Sequence, residues 1–209
     1  MKKRTAALNR KTKETEIHVS LNIDGSGKSD VKTGIAFLDH MLESLAKHGL
    51  FDIKLRAKGD LHVDSHHTNE DVGIALGETF KIALGDKKAI RRFADFRAPL
   101  DEALSGVRIS LDLSGRGSCH FHTGTKTRWI DHPSLRAADV VKGYGLLDLK
   151  HFLESFSSHL GMTLHVDFVA GEQPHHVIEA TFKALAKALD RAVSYDERVK
   201  GVPSTKGKL

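Results

Sequence analysis

The chain has 209 residues, 40% hydrophobic and 28% charged, an ordinary globular composition with enough length to bury its own core. A single cysteine, Cys119, excludes an intrachain disulfide and a thiolate zinc finger, and the apolar runs are too short for a membrane span. The net charge of +5, from 32 Lys+Arg against 27 Asp+Glu, suits an anionic small molecule or a nucleic acid, but 6% aromatic content and no basic recognition motif disfavour the nucleic acid.

The basic start, MKKRTAALNRKTKE, has no apolar stretch, so a secretory signal is not expected and the expected location is cytoplasmic. Ile17, Val19, Leu21 and Ile23 alternate as a strand and lead into a predicted hairpin turn at Asp24-Gly25-Ser26-Gly27. Phe37, Leu38, Met41, Leu42 and Leu45 recur at helical spacing, with Gly49 placed as the C′ residue. Phe51, Ile53 and Leu55 alternate again, and Val72, Ala75, Leu76, Phe80, Ala83 and Leu84 mark a long helix closed by Gly85. The second half repeats the order. Val107, Ile109, Leu111 and Leu113 alternate, and a helix carries Leu149, Phe152, Leu153, Phe156 and Leu160 behind an N-cap at Asp148. Met162, Leu164, Val166 and Phe168 form the next strand, and Val177, Ile178, Phe182, Leu185 and Leu189 the last helix, after Pro174.

The 14 histidines follow the same repeat. HMLESLAKH at 40–48 and HFLESFSSH at 151–159 share one pattern, and each precedes an H-H-x-x-E at 66–70 or 175–179. A composite motif occurring twice, about 110 residues apart, indicates a duplicated half-domain with its junction near residues 90–100. The predicted fold class is α+β, each half a four-stranded sheet with two helices on one face. The halves span 1–93 and 94–209, the second with an irregular excursion at 117–147 and a loose tail at 201–209.

Adjacent histidines on a helix point about 100° apart, so His66 and His67 cannot easily grip one ion but can grip two, and the same holds for His175 and His176. With His40 and His151 leading the H-x-L-E-S helices, and Glu70 and Glu179, the set is six imidazoles and two carboxylates. That is three His and one Glu per metal, a thiolate-free N3O set suited to Mn, Fe, Co, Ni or Zn, with two positions open if the ion is octahedral. His48 and His159 repeat too and are candidates for a role near the site. His18, His62, His120, His122, His132 and His165 read as surface or packing residues, and Glu43 and Glu154 as solvated charges. Arg91, Arg92, Arg116 and Lys206 are candidate anion ligands.

These residues resemble the imidazoleglycerol-phosphate dehydratase family. The likeness is carried by R-x-A-x-x-x-R-x-T-x-E-T at 4–15, FLDHMLESLAKHGLFD at 37–52, DSHHTNEDVGIALG at 64–77 and RFADFRAPLDEAL at 92–104. It continues in DLSGR at 112–116, HFLESF at 151–156, HHVIEATFKAL at 175–185 and PSTKG at 203–207. After Arg116 the family usually has Pro, where this chain has Gly117. The resemblance implies a lyase of histidine biosynthesis that dehydrates imidazole glycerol phosphate to imidazole acetol phosphate, using two Mn2+ per chain to hold the substrate imidazole. It implies Glu14 as general base, a residue that otherwise passes for an exposed strand charge. It places Glu14, His40, His48, His66, Glu70 and His175 against the substrate, and Arg92, Arg116, Lys183, Ser204, Thr205 and Lys206 around its phosphate. It pairs His40, His67, Glu70 and His176 at one metal and His66, His151, His175 and Glu179 at the other. It further implies a homo-oligomer of 24 chains built from trimers. A non-catalytic metal-binding or storage protein is the competing class, and a binuclear metallohydrolase a third; a storage site has no use for a phosphate clamp.

Overall fold

The computed structural model describes residues 3–101, 103, 107–123, 141, 143–169, 171 and 173–209. Strands β1 (Thr5–Lys11), β2 (Thr15–Asn22), β3 (Ser29–Lys32) and β4 (Asp52–Gly59) form one sheet in the order β1-β2-β4-β3. Strands β5 (Phe93–Ala98), β6 (Val107–Asp112), β7 (Ser118–Thr123) and β8 (Thr163–Phe168) form a second in the order β5-β6-β8-β7. Helices α1 (Ala36–Gly49) and α2 (His66–Leu84) belong to the first sheet, α3 (Leu146–Leu160) and α4 (Pro174–Val193) to the second. In each half two antiparallel pairings are followed by one parallel pairing, Val31 opposite Leu55 in the first and Phe121 opposite Val166 in the second. A parallel neighbour needs a crossover connection, which α1 and α3 supply.

The helices meet across the halves: α1 packs on α4 and α2 on α3. Alternation sends Ile17, Val19 and Leu21 of β2 and Ile109 and Leu111 of β6 toward those helices, all buried. Phe51, Phe80, Phe156, Phe152 and Phe182 form a chain of ring contacts, with centroids 5.1 to 5.9 Å apart, that runs from the first half into the second. The duplicated halves therefore share one core. Each such fully buried side chain contributes about 1.5–3 kcal/mol.

Several sequence expectations are corrected. The Asp24–Gly27 turn does not close a hairpin, because β4 lies between β2 and β3. Helix α1 runs through Gly49, and Leu50 takes the left-handed conformation at φ 58° as the Phe51 N–H returns to the Ala46 carbonyl at 3.0 Å. Gly49 is needed for space instead: a Cβ there would stand 2.3 Å from the Phe51 ring. Helix α3 starts one turn before Asp148, whose carboxylate accepts the Gly145 N–H at 2.8 Å as the N3 member of a capping box. The stretch 117–147 opens with β7, the counterpart of β3, so the part of it unmatched in the first half begins only after Thr123. Residues 124–140, with His132 among them, lie outside the described residues. The tail at 201–209 is docked: Arg92 donates to the Pro203 carbonyl at 2.8 Å, Ala89 N–H donates to the Gly201 carbonyl at 2.8 Å, and Leu209 lies against Gly115. Among the described residues no helix is long and apolar enough to cross a membrane.

Candidate metal centre and substrate site

The packing of α1 on α4 brings His40 to the first turns of α4. His40 Nε2 lies 3.6 Å and His175 Nε2 3.2 Å from Glu179 Oε2. The donor atoms of these three residues all fall within 4.8 Å of one another. Phe37 holds the His175 ring edge-on at 5.0 Å. The other oxygen of Glu179 accepts from Lys183 Nζ at 2.8 Å. Burial opposes ionisation of Glu179, but Lys183, with His40 and His175, holds its carboxyl below the usual range.

The packing of α2 on α3 brings the repeat-related residues together less tightly, since among the described residues only the His40, His175 and Glu179 donors all fall within 4.8 Å of one another. His66 Nε2 stands 3.3 Å from Glu70 Oε2, four residues along the same helix face, and the His66 and His151 rings meet edge-on at 4.7 Å. A cleft of ≈ 430 Å³ opens here, lined by His66, Glu70, His151 and Ser158 among others. Two small residues let the helices approach. A Cβ at Gly73 would stand 2.9 Å from the Phe152 carbonyl oxygen, and one at Gly77 2.6 Å from that of Phe156. The two sites are related by the internal repeat, each with one His from an H-x-L-E-S helix and a His and a Glu from an H-H-x-x-E helix.

The pairing implied by the resemblance is not the one found within a chain. His40 joins His175 and Glu179, and His66 lies against both Glu70 and His151, because each leading histidine follows the helix its own helix packs against. His67 and His176 point elsewhere, as the turn per residue of a helix requires. His67 Nδ1 lies 2.9 Å from Asp60 Oδ2 and 3.8 Å from Glu14 Oε2, and His176 Nε2 lies 3.9 Å from Asp101. Hydrogen bonding to Asp60, reinforced by Glu14, raises the pKa of His67. Glu14 sits in the exposed turn between β1 and β2, not in a strand as the sequence suggested. That hairpin is tied to α2 by Asp71, which accepts two bonds from Arg10, at 2.8 and 3.0 Å, and one from the Thr15 hydroxyl.

The family model for imidazoleglycerol-phosphate dehydratase matches residues 33–189. The chain belongs to that family. Relatives bearing the name include one from Thermoanaerobacter pseudethanolicus, 52% identical over 99% of this chain and all of its own length. The chloroplastic enzyme of Pisum sativum is 51% identical over 99% of this chain and 69% of its own length. The solved imidazoleglycerol-phosphate dehydratase of Pyrococcus furiosus is 34% identical and superposes with a TM-score of 0.77, covering 97% of this chain and all of the other. That of Staphylococcus aureus is 28% identical with a TM-score of 0.76, over 92% and 99%. As a member of this dehydratase family the chain is a hydro-lyase of histidine biosynthesis, which replaces the storage and hydrolase readings.

Of the candidate phosphate residues of the dehydratase, Arg116 adjoins the end of α3, while Lys183 lies beside Glu179 on α4. Gly117 leaves room for only a hydrogen, since a Cβ there would stand 2.4 Å from the Ser158 backbone, and Ser158 lines the His66–His151 cleft. Arg116 beside it is exposed and has no acidic partner among the described residues. Arg92 is committed instead. It donates to both oxygens of Asp112, at 2.7 and 3.1 Å, and to Pro203, so it anchors the segment bearing Ser204, Thr205 and Lys206. Thr205 and Lys206 are exposed. His48 lies on α1, its pKa lowered by burial and by Lys183 and Lys187.

Sequence reading missed Asp60, Asp71, Asn69 and the Gly73–Gly77 pair. Asn69 is buried, donating to the Asp148 carbonyl at 2.8 Å and accepting from the Tyr144 hydroxyl at 3.0 Å. Polar residues following the paired histidines at the buried face of a helix were the available signal, because a buried polar group needs partners.

Proposed function

We propose that this dehydratase converts imidazole glycerol phosphate to imidazole acetol phosphate on two manganese ions per chain. The observation that carries the reading is the His40–His175–Glu179 trio, one imidazole short of the N3O set, with His66, Glu70 and His151 at the repeat-related position. The donors suit such ions, with two imidazoles and one carboxylate oxygen in the His40 trio and no thiolate. We infer that His67 and His176, which project away from both trios, supply the third imidazole to neighbouring copies, in a particle of 24 chains built from trimers. Held by these residues, such metals would supply Lewis acidity toward the substrate imidazole.

The chain's own groups do the rest. A hydroxyl leaves the carbon next to the ring, a proton leaves the adjacent carbon, and the enol becomes the ketone, a net loss of water. Glu14, solvent-exposed and 3.8 Å from His67, takes the carbon-bound proton and returns it toward the departing hydroxyl. Arg116, Lys206 and the hydroxyls of Ser204 and Thr205 hold the phosphate, with Arg92 keeping their segment in place and Lys183 adding positive charge beside Glu179. The test is product formation from imidazole glycerol phosphate with and without Mn2+. Metal-dependent imidazole acetol phosphate is expected, and its absence from manganese-loaded protein would refute the reading.

A further inference from the structure

Two fully buried polar side chains join α2 to α3 beside the cleft lined by His66, Glu70 and His151. The Asn69 amide donates to the Asp148 carbonyl at 2.8 Å, and its oxygen accepts from the Tyr144 hydroxyl at 3.0 Å. Asn69 stands one residue before Glu70 and three after His66, and Asp148 stands three before His151. The bracket therefore ties together the helical turns that carry those three residues. Tyr144 is itself held in place. Its backbone exchanges bonds with Val141 at 2.9 and 3.1 Å, and the N–H of the following Gly145 is capped by the Asp148 carboxylate. Its ring lies 5.6 Å from that of Phe37, which holds His175.

The internal repeat shows what this position needs for packing alone. Counted from the paired histidines, the counterpart of Asn69 is Ile178, which is equally buried. An isoleucine suffices for the core there, whereas an amide and a phenol are costly to bury unless both are hydrogen-bonded. A second difference matches the first. Glu179 is braced by Lys183, four residues on, at 2.8 Å, and the counterpart of that lysine beside Glu70 is Ile74. The half without the lysine is the half with the bracket.

We propose that Asn69 and Tyr144 are positioning residues of the dehydratase site, holding His66 and Glu70 in register with His151 as Lys183 holds Glu179 in the other half. This rests on the reading that His66, Glu70 and His151 are metal ligands. The close contacts of Gly73 and Gly77 with the α3 backbone set how near the two helices come. They do not fix how far one helix slides along the other. Hydrogen bonds are directional, and this pair sits at the helix ends that carry the ligands, so it fixes the slide. Groups that orient metal ligands from behind in this way typically govern affinity as well as geometry.

The experiment uses the assembled protein, with Mn2+ binding followed by equilibrium dialysis and folding by thermal melting. The variant combining Asn69→Ile and Tyr144→Phe makes both positions apolar, as the repeat does at Ile178, and should still fold and assemble. One of its two ions should bind on the order of 10–100-fold more weakly, and the other as in wild type. Tyr144→Phe alone, the milder change, should weaken the same ion in the same direction. Both ions held as tightly as in wild type, whatever the melting temperature, would overturn the proposal. Equal weakening of both ions would do so too, as the mark of a general loosening. Glu70→Ala separates this from the reading beneath it. Loss of one ion supports that reading, and two ions retained would remove Glu70 from the ligands and overturn the reading and the proposal together.

Discussion

Glu14 owes its place to residues that do no chemistry. Asp71 on α2 fastens Arg10 and Thr15, and so fixes the hairpin turn that holds the carboxylate near His67. Glu14→Gln removes only the proton acceptor, so substrate binding should persist while turnover falls by on the order of 10² to 10⁴. Steady-state kinetics with a separate binding titration measures both, and full turnover would place the base elsewhere. At the opposite extreme stands Cys119, whose thiol is pushed up to about 12 by burial and the nearby Glu154 carboxylate. A thiol that resists ionisation is a poor nucleophile. Folded protein should therefore resist iodoacetamide at pH 8 and react only on denaturation, which mass spectrometry detects directly. At this scale the histidines and glutamates of the trios were legible because they recur in a repeated motif. Asp60 and Asp71 were not, since a lone aspartate carries no periodicity and its partner is set by tertiary contact.

Helix α2 shows how an element makes a site. The backbone of α3 passes so close to Gly73 and Gly77 that side chains there would collide with it. Gly77→Ala should cost about 1–3 kcal/mol through overpacking, despite the better helix propensity of alanine. It should also disturb the His66–His151 trio more than the His40–His175 trio, which rests on α1 and α4. Thermal unfolding together with metal stoichiometry checks this, and an unchanged melting temperature would show that α3 can shift freely. The strands teach a related lesson. The central strands β2, β4, β6 and β8 bury one face against helices, so their alternation was readable. The edge strands were not. β1 has no fully buried residue, and β3 only Val31, so the apolar pattern that announces a strand is missing. The capping of α3 was misplaced by one turn for a comparable reason: an aspartate at N3 and one at the N-cap both precede the same apolar stripe.

At the scale of the whole molecule, two halves that share one core also share their sites, because each trio draws on both repeats. That pairing depends on helix packing and could not be read from motif spacing. If the ions also join chains, chelation has a structural consequence. EDTA should reduce the assembly to smaller, still folded units, since coordination energy would support the subunit contacts rather than the monomer fold. Light scattering with circular dichroism follows mass and fold together, and an unchanged mass with all metal removed would separate the sites from the assembly.

The sharing of sites between chains is tested most directly by co-assembly of two defective chains. One carries His67→Ala and His176→Ala, keeping both trios intact. The other carries His40→Ala and His151→Ala, breaking both trios but keeping the two outward histidines. Each alone should bind little metal and turn over poorly. Co-expressed and purified through tags on both chains, the mixed particles should regain metal and dehydratase activity wherever an intact trio meets an intact outward histidine. Mixed particles as empty and inactive as the separate variants would mean that each chain completes its own sites.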